Sequence, residues 1–270
     1  MEFEVLGPLR VRRGGQPTPL TAMMPRTLLA VLITKANTSV PVDLLIDALW
    51  AGKRDHRATK KLQLHVHRLR RALDDPSRIR FEHAGYTLRL EQGELDAERF
   101  EAVLARSNVT SDPARAVQLL RIALGLWHGD PFGGVTDVPL VRAEIDRLTE
   151  RRLIGLEQLY SAELACGHAA TIVPGLTQLA TGYPLRERLQ WLLMTTLYQA
   201  GRRAEALSVY HRTRTTLVDE LALEPGPELQ RLEHAILTGE PAPPAPGITR
   251  SAQRPTPVRP HRLNAAGSGM

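Results

Sequence analysis

Residues 53–73, KRDHRATKKLQLHVHRLRRAL, gather Lys53, Arg54, Arg57, Lys60, Lys61, Arg68, Arg70 and Arg71 into one stretch, with Leu62, Val66, Leu69 and Leu73 recurring inside it at helical spacing. At about 100° per residue the four apolar positions lie within about 40° of one line, and Lys60, Leu64, His67, Arg68 and Arg71 fall opposite them. The pattern predicts a helix with one buried stripe and a cationic outer face, a rod suited to a DNA major groove. Taken alone, such a charge run reads more simply as a solvated face.

Each outward residue has its own chemistry. Arg68 can give both guanidinium prongs to guanine O6 and N7 and is the first candidate for base reading. Gln63 can pair with adenine N6 and N7 or, from the flank of the helix, reach a phosphate. Leu64, nearly opposite the apolar stripe and amid basic neighbours, suits a thymine methyl; the plainer reading is a scattered surface leucine. Thr59, Lys60, Lys61, His67, Arg70 and Arg71 suit phosphates, which set affinity rather than sequence preference. If about six phosphates are neutralised, log K should fall against log salt with a slope near about −5.

Other chemistries find little support. His65 and His67, two apart on a helix, point about 200° from each other and cannot share a metal ion. There is no nucleophile elbow, no H-E-x-x-H string and no G-x-x-x-x-G-K-[ST] phosphate loop, so neither an enzyme nor a cofactor is expected. Cys166 is the single cysteine, which rules out an internal disulfide and is most simply a small core residue. No window approaches a membrane span and MEFEVLG lacks a signal pattern, so a cytoplasmic, nucleoid-associated protein is expected.

The elements around the basic helix give it a context. PRTLLAVLITKAN (25–37) predicts a helix opened by proline and stopped by asparagine, and PVDLLIDALW (41–50) a second with Asp43 in its first turn. After the basic helix, Arg78–Phe81 and Tyr86–Leu90 alternate around Glu82-His83-Ala84-Gly85, a hairpin in which Gly85 is expected to take positive φ. Helix, helix, basic helix and hairpin describe a winged helix-turn-helix. In its wing, Arg78, Arg80 and His83 are placed to reach a minor groove or its phosphates, His83 being as readily a solvated residue. Upstream, 2–7, 9–13 and 16–20 alternate like strands, broken by Gly7-Pro8 and Gly14-Gly15, and suggest a small antiparallel sheet of the kind that precedes OmpR-type effector domains.

Charge divides the chain. Residues 1–90 hold 16 Lys/Arg against 8 Asp/Glu, residues 91–240 hold 15 against 21, and the last thirty add 4 Arg without an acid. A basic head on an acidic body assigns a polyanion partner to the head alone. From Asp96 the pattern is all-helical. Leu159 and Leu193, Gly167 and Gly201, Ala170 and Ala204, and Leu176 and Tyr210 each lie 34 apart, the length of a tetratricopeptide helix pair. An ordinary helical bundle is the plainer alternative. Trp50 and Trp127 are expected to close the cores of their domains, and Trp191 to open a helix facing a groove or the head. Residues 241–270, with seven prolines and four arginines, cannot bury a core and read as a linker or tail.

Several strings coincide in order: VDLLIDALW (42–50), LQLHVHRLRRAL (62–73), GYTLRL (85–90), ALGLWHGDPFGG (123–134) and PLRERLQWLLMTTLYQAGRRAEALSVYHRTRTTLVDELALEPGPELQRLEHAIL (184–237). Over roughly residues 1–240 the chain closely resembles the SARP family, the Streptomyces antibiotic regulatory proteins. The resemblance implies a mainly α protein: an OmpR-type winged helix-turn-helix with small antiparallel β-sheets at 1–92, then an all-helical, tetratricopeptide-like bacterial transcriptional activation domain at 95–240. It implies an activator that binds direct repeats near a promoter's −35 element, as a dimer or tandem pair on double-stranded DNA. It further implies recruitment of RNA polymerase holoenzyme, through sigma factor, the alpha C-terminal domain and the beta flap region, often at secondary-metabolite genes. Longer members continue into an ATPase module, so the chain is alternatively the front of a longer regulator; from another class, it is a helical scaffold with a nonspecific basic anchor. Two departures stand out. The family's acidic, proline-bearing loop before the recognition helix is replaced by AGKRDHR (51–57), so Lys53, Arg54, Asp55 and Arg57 are expected to touch DNA as well as polymerase. Ala222 stands where glycine is usual, which predicts a less sharply capped helix end.

Overall fold

The computed structural model describes residues 1–20, 22–50, 57–135 and 137–243. The chain opens with an antiparallel meander, β1 (Glu2–Glu4), β2 (Arg10–Arg13) and β3 (Gln16–Pro17). Phe3 pairs with Val11 and both are buried. Gly14 and Gly15, at φ 53° and 79°, form the tight turn whose twist matches an antiparallel pair.

Next comes α1 (Met23–Thr34), which starts two residues before Pro25; in the first turn the missing proline N–H leaves no hydrogen bond unmade. Asn37, at φ 62°, takes the chain out of the helix and exchanges side-chain hydrogen bonds with the Leu90 backbone (3.1 and 3.0 Å). Then follow β4 (Val40–Pro41), α2 (Val42–Trp50), α3 (Ala58–Ala72) and the hairpin β5 (Ile79–Glu82) and β6 (Gly85–Leu88), with sheet order β4-β6-β5. The positive φ expected at Gly85 falls instead on His83 (51°) and Ala84 (58°), the two central residues of the turn. Gly85 is required for a different reason: a Cβ there would overlap the carbonyl oxygen of Val40 on the neighbouring strand.

Seven helices complete the described chain: α4 (Asp96–Ser107), α5 (Pro113–Leu124), α6 (Pro139–Ala165), α7 (Ala169–Gly182), α8 (Glu187–Gln199), α9 (Arg203–Leu221) and α10 (Pro227–Thr238). The 34-residue period is real geometry, since α7 and α9 begin 34 apart, each after a glycine at positive φ, Gly167 (80°) and Gly201 (78°). Ala222 adopts the left-handed conformation itself (φ 55°, ψ 34°), and Ala222 and Leu223 donate to the Val218 and Leu217 carbonyls. The end of α9 is therefore fully capped, against expectation; alanine carries the cost as backbone strain rather than as a lost cap.

Two cores hold the described residues. The first joins Phe3, Leu28, Leu62, Leu69 and Leu88 of the head to Phe100, Leu104, Leu120 and Leu148 of the body; the second lies among α7–α10 around Leu176, Leu193, Ala206 and Leu232. Trp191, expected to face a groove or the head, is buried in the second core, with the Arg188 guanidinium 5.6 Å from its ring centre. The change in sequence pattern between residues 92 and 95 is thus not a break in packing. Backbone bonds reinforce the junction: Phe3 N–H donates to Glu94 O (2.8 Å), and His128 and Phe132 N–H to Leu6 and Val5 O (2.8 Å each). The Asp96 carboxylate accepts from the Val5 and Leu6 amides (2.9 and 3.0 Å). Burial pushes the Asp96 carboxyl above its usual range, although these amides favour its charged form.

Candidate nucleic-acid interface

The basic stretch folds as α3 because Leu62, Val66, Leu69 and Leu73 supply a stripe that α1 and α2 cover; Leu62 and Leu69 have no exposed surface. Burying such leucines contributes on the order of 2 kcal/mol each, which fixes the rotation of the helix and so decides what faces outward. Thr59, Lys60, Lys61, Gln63, Leu64, His67, Arg68 and Arg71 are all exposed, Leu64 by 48%. None of the hydrogen bonds or ion pairs among the described residues engages the side chains of Lys60, Gln63, Leu64, His67, Arg68 or Arg71. The first turn of α3 holds no acid and has no side-chain cap, so its dipole adds to the positive field.

His65 sits on the flank, half-buried, its ring 6.1 Å from that of Trp50 at the end of α2. Burial and the nearby Arg68 charge lower its pKa, so the neutral ring is favoured there. Arg57 lies at the helix start, exposed; Lys53, Arg54 and Asp55 lie outside the described residues.

Two of the expected contacts are engaged elsewhere. Arg70, half-buried, donates from Nε (2.9 Å) and Nη2 (2.7 Å) to the carbonyl of Ile79, at the start of the wing. Arg78 donates to Asp74 (2.6 Å) and, through two nitrogens, to Glu94 (2.7 Å each). Its side chain is only 12% exposed, and Glu94 also receives the Met1 ammonium at 3.1 Å. Hydrogen bonds from Arg78 hold the Asp74 carboxyl below its usual range; burial opposes the same effect on Glu94 but is outweighed. Arg70 and Arg78, placed against phosphates by the sequence expectation, are thus both engaged within the protein. Arg80 is exposed, with Nε donating to Ser77 O (3.2 Å), and His83 is exposed at the wing tip. No motif marks Phe81, 60% exposed on the wing and packed edge-on against Tyr86, or Glu94, whose charged partners Arg78 and Met1 lie 16 and 93 positions away.

The geometry is that of a helix presented by a winged helix-turn-helix, fused to a helical body. The model of the bacterial transcriptional activator domain matches residues 95–237, and that of the transcriptional regulatory protein C-terminal domain matches residues 15–88. The chain belongs to the SARP family of transcriptional regulators. The SARP member DnrI of Streptomyces peucetius is 32% identical over 264 residues, covering 93% of this chain and 95% of DnrI. AfsR of Streptomyces coelicolor is 39% identical over 246 residues, 90% of this chain but 25% of AfsR, so the chain spans about a quarter of that longer relative. A solved structure of Mycobacterium tuberculosis EmbR, in complex with a low-affinity phosphopeptide, superposes with a TM-score of 0.84 at 32% identity, over 90% of this chain and 66% of that one. Among the described residues of this SARP regulator, no helix is long and apolar enough to cross a membrane and no His/Cys/Asp/Glu group is arranged to hold a metal ion.

Proposed function

We propose that this SARP regulator is a sequence-specific DNA-binding activator whose α3 enters the major groove. The observation that carries the reading is the division of α3: fully buried Leu62 and Leu69 on one side, and exposed side chains of Gln63, Leu64, His67, Arg68 and Arg71, unengaged within the described structure, on the other. In this reading Arg68 reads guanine, Leu64 meets a thymine methyl and Gln63 contacts adenine or a phosphate. Thr59, Lys60, Lys61, His67 and Arg71 hold phosphates, and Arg80 and His83 reach from the wing. Lys53, Arg54, Asp55 and Arg57 form the segment offered to DNA and polymerase.

The protein binds direct repeats near −35 elements as a dimer or tandem pair and recruits RNA polymerase through its acidic body, at secondary-metabolite genes. The names of RedD and DnrI, a transcriptional regulator and a regulatory protein of Streptomyces, favour this assignment. The test is retention of sheared genomic DNA at near-physiological salt, followed by sequencing, for the wild type and Leu64→Ala. Recovery of direct repeats about one helical turn apart, with the preference at one base step relaxed in the variant, is expected. Uniform retention without a motif would return the protein to a helical scaffold with a basic anchor.

A further inference from the structure

We infer that Arg70 acts on DNA only through the wing: it is a positioning residue that, with Arg78 and Glu94, fixes the hairpin β5–β6 against the recognition helix before any DNA is met. The inference rests on the proposed DNA-binding role of α3 and deepens it.

In the wing, β6 is flanked by β4, through Val40–Tyr86 and Pro41–Gly85, and by β5, which is the edge strand of the sheet and depends on other contacts for its placement. Here its base is held from three sides. From α3, Arg70 places two guanidinium N–H groups on the single carbonyl oxygen of Ile79, the first residue of β5. Ile79 itself is buried, so the carbonyl marks the point where the strand leaves the core. From the end of α3, Asp74 takes the Nε of Arg78, the residue just before that strand. From the head–body junction, Glu94 takes the other two nitrogens of Arg78, and it also accepts the Glu91 amide (2.8 Å) and the Met1 ammonium (3.1 Å). The Arg89 amide closes the set by donating to the Arg78 carbonyl (2.7 Å).

A planar guanidinium holding one acceptor with two donors tolerates little rotation. The distance from the α3 face to Arg80 and His83 at the wing is therefore set within the protein. Arg70 and Arg78 look like phosphate contacts in a linear sequence, and both charges are instead spent on this mount. Glu94 gives the sharpest discrimination, because it is an acid. If charge alone governed the wing, removing it would free Arg78 and strengthen binding; if the mount governs, removing it weakens binding.

The experiment is a double-mutant cycle on the full chain, measuring Kd for the selected repeat with Arg70→Ala, Arg80→Ala and the pair. Loss of a positioned wing contact should weaken binding about tenfold in Arg70→Ala, on the order of a lost specific contact. In the Arg80→Ala background the same change should cost less than about twofold, because residues acting through one another are not additive. Additive losses would identify Arg70 as a direct phosphate contact and overturn the inference. Glu94→Gln should weaken binding even though it makes the protein more positive; tighter binding would also overturn it. Amide hydrogen exchange of the free variants supplies a readout independent of DNA. Arg70→Ala and Glu94→Gln should accelerate exchange in β5 and β6 while the amides of α3 keep their protection. Unchanged wing exchange refutes the mount even if the wild-type chain proves to bind no specific sequence.

Discussion

Arg68 and Arg71 on the outer face of α3 and Arg70 and Arg78 at the base of the wing are the same residue type within eleven positions, and they are used in opposite ways. The first pair is exposed and engages no partner among the described residues; the second is folded inward onto Ile79, Asp74 and Glu94. The difference teaches that net charge overstates the charge the head presents outward. An arginine binds whichever acceptor the fold puts nearest, and an internal carbonyl is in place as soon as the chain folds.

The comparison can be broken by substitution, and the largest effect belongs to the inward pair. Arg78→Ala leaves Glu94, 10% exposed, with the Met1 ammonium as its remaining cation and exposed Asp74 without its partner, and should lower unfolding stability by about 2 kcal/mol, read from the denaturant midpoint at constant slope. A change below about 0.5 kcal/mol would show the network to be ornamental. In Arg68→Ala, stability should stay within about 0.5 kcal/mol of wild type while specific binding weakens by about 1–3 kcal/mol. Lys60→Ala should weaken specific and bulk DNA alike and reduce the salt slope by about 1.

Acid sharpens the same contrast. The Asp74 and Glu94 carboxyls titrate below their unfolded values, so their stabilising contribution is present above about pH 4.5 and is lost as pH falls through their folded values. Asp96 has the opposite sign: its folded pKa is raised, so its contribution is full below its unfolded value and declines as pH rises through the folded one. Glu94→Gln should therefore flatten the loss of stability between about pH 5 and pH 3, measured by urea unfolding across that range. A profile as steep as wild type would place the acid sensitivity elsewhere. The smallest effects belong to strained turns: Ala84→Gly at the wing tip and Ala222→Gly after α9 should each stabilise by about 0.5–1 kcal/mol, since alanine pays for a left-handed backbone that glycine adopts freely.

Periodicity made much of this legible. The apolar stripe of α3, the alternation of the hairpin and the 34-residue spacing of Gly167 and Gly201 are local patterns, and local patterns survive in a one-dimensional string. What stayed hidden depended on residues distant in sequence. The role of Gly85 comes from the approach of Val40, that of Arg70 from a carbonyl nine residues on, and that of Glu94 from Met1 and Arg78. The shared core is hidden in the same way, because Phe3 and Phe100 are each ordinary apolar positions until the fold brings them into one cluster.

The most direct test of the central claim is the ratio of specific to bulk DNA affinity, measured at one near-physiological salt concentration for wild type, Arg68→Ala and Arg71→Ala. The account predicts a wild-type ratio of about 10³ or more, a lower ratio in Arg68→Ala, and in Arg71→Ala a fall in both affinities that leaves the ratio unchanged. A ratio near one in the wild type, or one that Arg68→Ala leaves untouched, would contradict sequence reading by the outer face of α3.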